Sequence, residues 1–240
     1  RGGGTPAVDQ ARAAVYFQCD GRLLKLDATN GRVLKNIKVP DPNQCVSWNT
    51  VLASTGDNEK YIVTYWYGDP KWDSAIRVYD TKLNLQWEKT GLPAGKKATL
   101  TYAKGLVVTG TGNGWARPNG YTGEDWKRIQ AFSISDGSLV WDCDLSAYGF
   151  LAIYNVPYFN GDFYAESQDS HGFKSKLFRI RAGDGKLTDV LTYNRPHTSC
   201  APSIIAHGKM FSGDLHSDAI IVAKLAEGSA RDWPGCFCSP

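Results

Sequence analysis

The chain has 240 residues, enough to bury one sizeable core, and no stretch of it has the length and apolarity of a membrane span. Its 27 basic residues nearly balance 24 acidic ones, which gives no electrostatic footprint for nucleic acid, and no nucleic-acid-binding motif is present. With 42% hydrophobic residues and no low-complexity run the chain should fold, and its start, Arg1-Gly2-Gly3-Gly4, reads as that of a processed product.

Taken in order, the apolar residues alternate or come in short runs bounded by Gly, Asp, Asn and Pro, which is a strand pattern. Val15–Phe17 is followed by Leu23–Leu26, Tyr61–Tyr65 by Ile76–Tyr79, and Leu106–Thr109 by Ile129–Phe132. Phe163–Ala165 is followed by Leu177–Ile180, and Met210-Phe211 by Ile220–Val222. Each pair ends in a turn: Asp27 to Gly31, Asp80 to Asn84, Ser135-Asp136-Gly137, Gly183-Asp184-Gly185 and Ala226-Glu227-Gly228. The turn glycines supply positive φ, and Asp or Asn closes the turn with its own side chain. Further strands are expected ahead of each pair, near 5–8, 47–52, 98–102, 151–155 and 202–205. None of those five stretches contains Asp or Glu.

Gly137 to Gly185 is 48 residues and Gly185 to Gly228 is 43, while Gly31 to Gly137 covers two such steps. A period in the forties with four strands per period predicts an all-β chain, a single five-bladed β-propeller of four-stranded antiparallel blades. The expected blades are about 5–40, 45–91, 97–146, 150–196 and 201–234, with a cysteine-bearing tail at 235–240. The motif of two strands, an Asp-x-x-x-Gly turn and a strand ending in Trp resembles the repeat of the pyrroloquinoline-quinone (PQQ) propeller family. Its best copies are 22–34 and 130–141, ending in Leu34 and Trp141. The second blade lacks the turn Gly, and Lys35 and Asp189 stand where the repeat would place Trp. The repeat logic makes Trp87 and Trp141 inter-blade packing residues. Quinone-dependent members of the resembling family have six or eight blades, and the eight-bladed ones carry adjacent cysteines and an Asp base near calcium. This chain has no adjacent cysteine pair, so PQQ is not expected as a cofactor.

In such a meander the loops after the second and fourth strands of each blade leave on one face, here the irregular one and the better place for function. The longest, 111–127, carries Trp115, Arg117, Tyr121 and Trp126. With Trp48, Trp72, Lys97 and Arg195 these form the expected ligand-binding set, able to stack on a planar ligand or sugar and to meet acidic groups. His171, His197 and His216 fall on the same face, near Asp214, and could hold a divalent metal, although no ligand spacing backs the cluster. His207 falls in a turn on the opposite face. The primary expectation is a secreted or periplasmic, monomeric binding or scaffold module for a glycan, small molecule or protein. The alternative is a lyase-like or metal-dependent enzyme with His197, Tyr102 and Tyr148 as catalytic groups at the same mouth. A glycosidase would need paired carboxylates near the axis, which the expected inner strands lack; this argues against hydrolysis and leaves Glu166, on a second strand, and Asp169 as outside candidates.

The six cysteines, with no zinc-type spacing, favour disulfides and an oxidising compartment. The expected pairs are Cys19–Cys45 and Cys200 with Cys236 or Cys238, leaving Cys143 without an evident partner.

Overall fold

A computed structural model describes residues 5–38, 44–55, 59–68, 74–92, 99–110, 127–148, 152–153, 155–168, 176–192, 203–214, 219–225 and 237–238. These residues form strands, two short 3-10 turns and no α-helix. They build five antiparallel sheets. The first holds β1 (Ala7–Asp9), β2 (Ala14–Cys19), β3 (Arg22–Asp27) and β4 (Val33–Lys38). The second holds β5 (Gln44–Ser54), β6 (Lys60–Gly68), β7 (Ser74–Asp80) and β8 (Leu85–Leu92). The third holds β9 (Leu100–Ala103), β10 (Leu106–Thr109), β11 (Arg128–Ser133) and β12 (Leu139–Asp144). The fourth holds β13 (Ala152–Ile153), β14 (Tyr158–Phe159), β15 (Asp162–Gln168), β16 (Lys176–Arg181) and β17 (Leu187–Thr192). The fifth holds β18 (Ile204–Ala206), β19 (Lys209–Asp214), β20 (Ala219–Lys224) and β21 (Phe237–Cys238).

Every sheet is an up-and-down meander, so each pairs its strands in sequence order. The tight turns explain why. Lys104-Gly105, Asn160-Gly161 and His207-Gly208 all have positive φ at both residues, the geometry whose twist matches two antiparallel strands. In the fourth sheet the inner strand is split: β13 and β14 pair with successive parts of β15, and Pro157, which has no N–H, lies in the break. Asp9 ends β1, so the first strands do contain one carboxylate, contrary to expectation. It is buried, and both Lys60 Nζ (2.7 Å) and Arg12 Nη1 (3.0 Å) bond to it. The cysteine tail also differs from expectation: Phe237 and Cys238 pair with Val222 and Ile221 as the fourth strand of the fifth sheet.

Side chains alternate across each strand, so a sheet has one face toward the next sheet and one toward the previous. Tyr16 and Leu23 of the first sheet pack on Ile62 and Trp66 of the second. Tyr65 and Trp87 of the second pack on Val107 and Phe132 of the third. Ile129 and Trp141 of the third pack on Phe163 and Phe178 of the fourth, and Tyr164 and Leu177 of the fourth on Met210 and Ala223 of the fifth. Among the described residues the core is therefore four successive sheet-on-sheet joints rather than one central cluster.

Two joints share a lock. Trp87 donates its indole N–H to the Ile134 carbonyl (2.7 Å), and Trp141 donates to the Ala182 carbonyl (2.9 Å). Each ring lies over the turn glycine of the next sheet, Gly137 or Gly185, at φ +72° and +69°. A Cβ at either glycine would stand 2.7 Å from the indole. The first joint replaces both partners together. Leu83 takes the turn at positive φ, and Lys35 Nζ reaches the Lys82 carbonyl (2.6 Å) instead of an indole.

The same alternation overturns the Cys19–Cys45 bridge. Ala14, Tyr16 and Gln18 are the buried positions of β2 and face the second sheet, which carries Cys45; Cys19, one residue on, belongs to the opposite face. Cys19 and Cys143 are both free thiols, so an oxidising compartment draws no support from either.

Candidate functional site

Polar groups cross the joints at both ends. Toward the tight turns Lys60 of the second sheet meets the buried Asp9 of the first. Toward the end where the other loops leave, polar groups lie among buried apolar ones such as Trp66 and Ile129. Gln18 Nε2 donates to the Tyr65 carbonyl (3.3 Å) at the first joint. Gly110, at the same end of β10, lets the fourth sheet approach so closely that a Cβ there would lie 2.6 Å from the Ile153 carbonyl.

The polar groups join into one network across the third, fourth and fifth sheets. Thr99 Oγ1 donates to Asn155 Oδ1 (3.1 Å), and Asn155 Nδ2 donates to the Ser203 carbonyl (2.5 Å). Ser203 Oγ and Ser212 Oγ both donate to Glu166 Oε2, at 2.6 and 2.5 Å, and lie 2.7 Å from each other. Thr99, Ser203 and Asn155 precede or interrupt the inner strands, while Glu166 and Ser212 come from the second strands. Asn155 owes its reach to the split between β13 and β14. Glu166 is only 7% exposed, and a carboxylate taken out of water needs strong donors, which the two hydroxyls supply. This geometry fixes the carboxylate as a hydrogen-bond acceptor. It places the half-buried Asn155 amide at the loop end, where among the described residues it bonds Thr99 and the Ser203 carbonyl.

Sequence reasoning singled out Glu166 of this group but not Thr99, Asn155, Ser203 or Ser212. The available signal was a polar residue at an inward position of an otherwise apolar strand, as in Phe163-Tyr-Ala-Glu-Ser167.

Of the expected catalytic tyrosines, Tyr148 stands at the loop end, in the 3-10 turn after β12, with its ring edge-on to Phe178 (5.2 Å between centroids). Tyr102 stands one residue from the β9–β10 turn, and its hydroxyl donates to the Ser54 carbonyl (3.1 Å). The structure therefore does not bring the two together at one mouth. Burial raises the Tyr102 hydroxyl above its ordinary value of 10.0, which makes it a poorer base at neutral pH. Trp72, Lys97, Trp115, Arg117, Tyr121, Trp126, His171, Arg195, His197, Cys200, His216 and Cys236 lie outside the described residues. Trp48, Cys45 and Asp214 lie in β5 and β19, where only the backbone is described. His207 is exposed in its two-residue turn at the opposite end. No group of three or more His, Cys, Asp or Glu side chains suited to a metal occurs among the described residues.

No family model matches the chain, and no curated protein matches it. Solved structures do. BamB from Moraxella catarrhalis superposes with a TM-score of 0.58 at 13% identity, over 92% of this chain and 60% of that one. The AfRom2 CNH domain gives 0.61 at 10% identity, over 98% and 70%. The PQQ-bound aldose sugar dehydrogenase from Streptomyces coelicolor gives 0.56 at 14% identity, over 98% and 80%. The chain thus spans between 60% and 80% of the length of these proteins. At such identities the likeness concerns the fold: an all-β, propeller-type array of antiparallel sheets.

Proposed function

We propose that the five sheets are the blades of one β-propeller that serves as a binding or scaffold module, with its ligand site at the loop end. One observation carries this reading: at that end Thr99, Asn155, Ser203, Glu166 and Ser212 join three sheets in one hydrogen-bonded polar network. A fold that needed only stability would continue the apolar packing, since buried polar groups return little net stability even when satisfied. Trp48, Trp72, Lys97, Trp115, Arg117, Tyr121, Trp126 and Arg195 are the side chains we assign to the ligand above this floor. His171, His197, His216 and Asp214 are those that would hold a metal if one is bound.

The test is native against denatured mass of protein from its natural source. A mass excess that disappears on denaturation, and that is lost in the Trp115→Ala/Trp126→Ala variant, supports the reading and sizes the ligand. An excess unchanged in that variant puts the site elsewhere, and no excess leaves only the scaffold role. A stoichiometric metal ion lost in His197→Ala, together with an activity lost in the same variant, would replace the module with an enzyme. We place the protein in the periplasm or outside the cell on its even cysteine number; a non-reducing peptide map with all six thiols free removes that placement.

A further inference from the structure

A second buried polar group lies in the first joint, apart from the network across the third to fifth sheets. Gln18 of β2, Thr50 of β5, and Thr64 and Trp66 of β6 are all buried. Strand alternation puts them on facing surfaces. Ile62 and Trp66 face the first sheet, so Thr64 between them does too. Leu52 packs into the same joint, and Thr50 shares its side of β5. Tyr16 faces the second sheet, and Gln18 shares its side of β2.

Two backbone features bring Gln18 and Thr50 together. The register of β5 on β6 shifts between Val46 and Thr50, and Thr50 then pairs with Thr64. Gln18 Nε2 donates at that point, to the carbonyl of Tyr65 next to Thr64 (3.3 Å). The Thr50 N–H donates across the joint to the Thr5 carbonyl (3.0 Å). Continuing the β1–β2 register beyond the pair Ala7 and Tyr16 sets Thr5 opposite Gln18.

The hydrogen bonds of this group do not close on themselves. Trp66 Nε1 donates to Thr64 Oγ1 (2.8 Å), and Thr64 Oγ1 donates to the Arg77 carbonyl (3.2 Å), so both of those protons are used. A carbonyl only accepts, so the amide nitrogen of Gln18 must be the atom turned to Tyr65, and Oε1 is turned into the joint. Gln18 Oε1 and Thr50 Oγ1 are buried with no hydrogen-bond partner among the described residues. Gln18 is 0% exposed and Thr50 5%, so bulk solvent does not supply one. Lys60 and Arg77, on the same face of the second sheet, each bond a carboxylate, Asp9 and Glu88, so an ion placed here would lack a counter-charge. The group needs a donor for Gln18 Oε1 and an acceptor for the Thr50 hydroxyl, and one small neutral molecule with both satisfies it.

We propose that the first joint binds one internal water molecule, which donates to Gln18 Oε1 and accepts from Thr50 Oγ1. The water ties the shifted part of β5 to the first sheet at the end where the longer loops leave. This inference does not rest on the ligand reading.

The test is Thr50→Val, which keeps the shape of the side chain and removes its hydroxyl. With the water bound, the substitution breaks a hydrogen bond and should lower the Tm by about 2–4 °C in a chain of this size. Without it, the substitution removes a buried hydroxyl that bonds nothing; a Tm that stays or rises overturns the proposal. Gln18→Met completes a double-mutant cycle. A shared water couples the two positions, so Thr50→Val should cost less in the Gln18→Met background, and strictly additive losses overturn the bridge. A crystal structure that shows ordered waters gives the direct readout. One water-sized peak within hydrogen-bond reach of both Gln18 Oε1 and Thr50 Oγ1 is expected. No peak, a peak bonded to only one of them, or density larger than a single water overturns the assignment, the last by giving the place to a hydroxyl of a bound ligand.

Discussion

Gly137 and Gly185 are constrained twice, by a left-handed backbone and by an indole lying where a Cβ would be. Alanine at either should cost about 2–4 kcal/mol, from backbone strain plus displacement of the ring, checked by denaturant unfolding. Asp9 shows a different balance. Burial opposes its ionisation, but the bonds from Lys60 and Arg12 overcome this and hold the carboxyl below its ordinary 3.8. A depressed folded value means that its contribution is fully present above pH 3.8 and is lost as pH falls through the lower folded value. Melts taken from neutral pH downward should show stability falling in that acid range, and Asp9→Asn should flatten this fall; an identical slope in the variant would remove the assignment. Burial also pushes the Cys143 thiol up to about 11, so it should resist alkylation at neutral pH until the protein is unfolded.

At the scale of elements, the unit of this fold is the joint, and at the first three joints its two parts change together. Where Gly137 and Gly185 occupy the turn, the preceding sheet has Trp87 and Trp141; where Leu83 occupies the turn, the preceding sheet has Lys35. Trp141→Ala should cost about 3–5 kcal/mol, because the ring, its hydrogen bond and its packing on Gly185 go together. Lys35→Ala should cost about 1 kcal/mol, the worth of one hydrogen bond; equal losses in denaturant titrations would contradict this difference. Much of this was readable from the chain. The roles of Trp87 and Trp141 and the exceptions at Lys35 and Asp189 follow from spacing, because a repeat writes each joint into two local motifs. The polar network was not readable. Apart from the Ser203–Ser212 contact its hydrogen bonds join residues 37 to 56 positions apart, and no local pattern pairs Thr99 with Asn155 or Glu166 with Ser203. The cysteine pairing failed for a related reason: shared location at one end of a sheet does not fix which face a side chain takes, and one residue of offset reverses it.

Over the whole molecule the joints are unequal. The middle two carry indole locks, the first relies on Lys35, and the fourth has Asp189 in place of Trp and depends on the Glu166–Ser203–Ser212 group. In a repeat array, stability is approximately the sum of units and nearest-neighbour interfaces, so it should be graded. Hydrogen exchange should find the slowest amides in the third sheet, at β10 and β11, and faster exchange in β2, β3, β19 and β20; uniform protection would show a single cooperative unit instead. The network has a matching role at this scale, since it ties the inner strands of three sheets at the end where the indole locks do not reach.

The two locks also set the order in which the chain can afford to organise itself. Trp87 finds Ile134 across 47 residues and Trp141 finds Ala182 across 41, so each closes a loop about one repeat long. Loop-closure entropy grows only with the logarithm of length, and these loops are short and nearly equal. Neighbouring sheets can therefore dock one after another without waiting for distant segments.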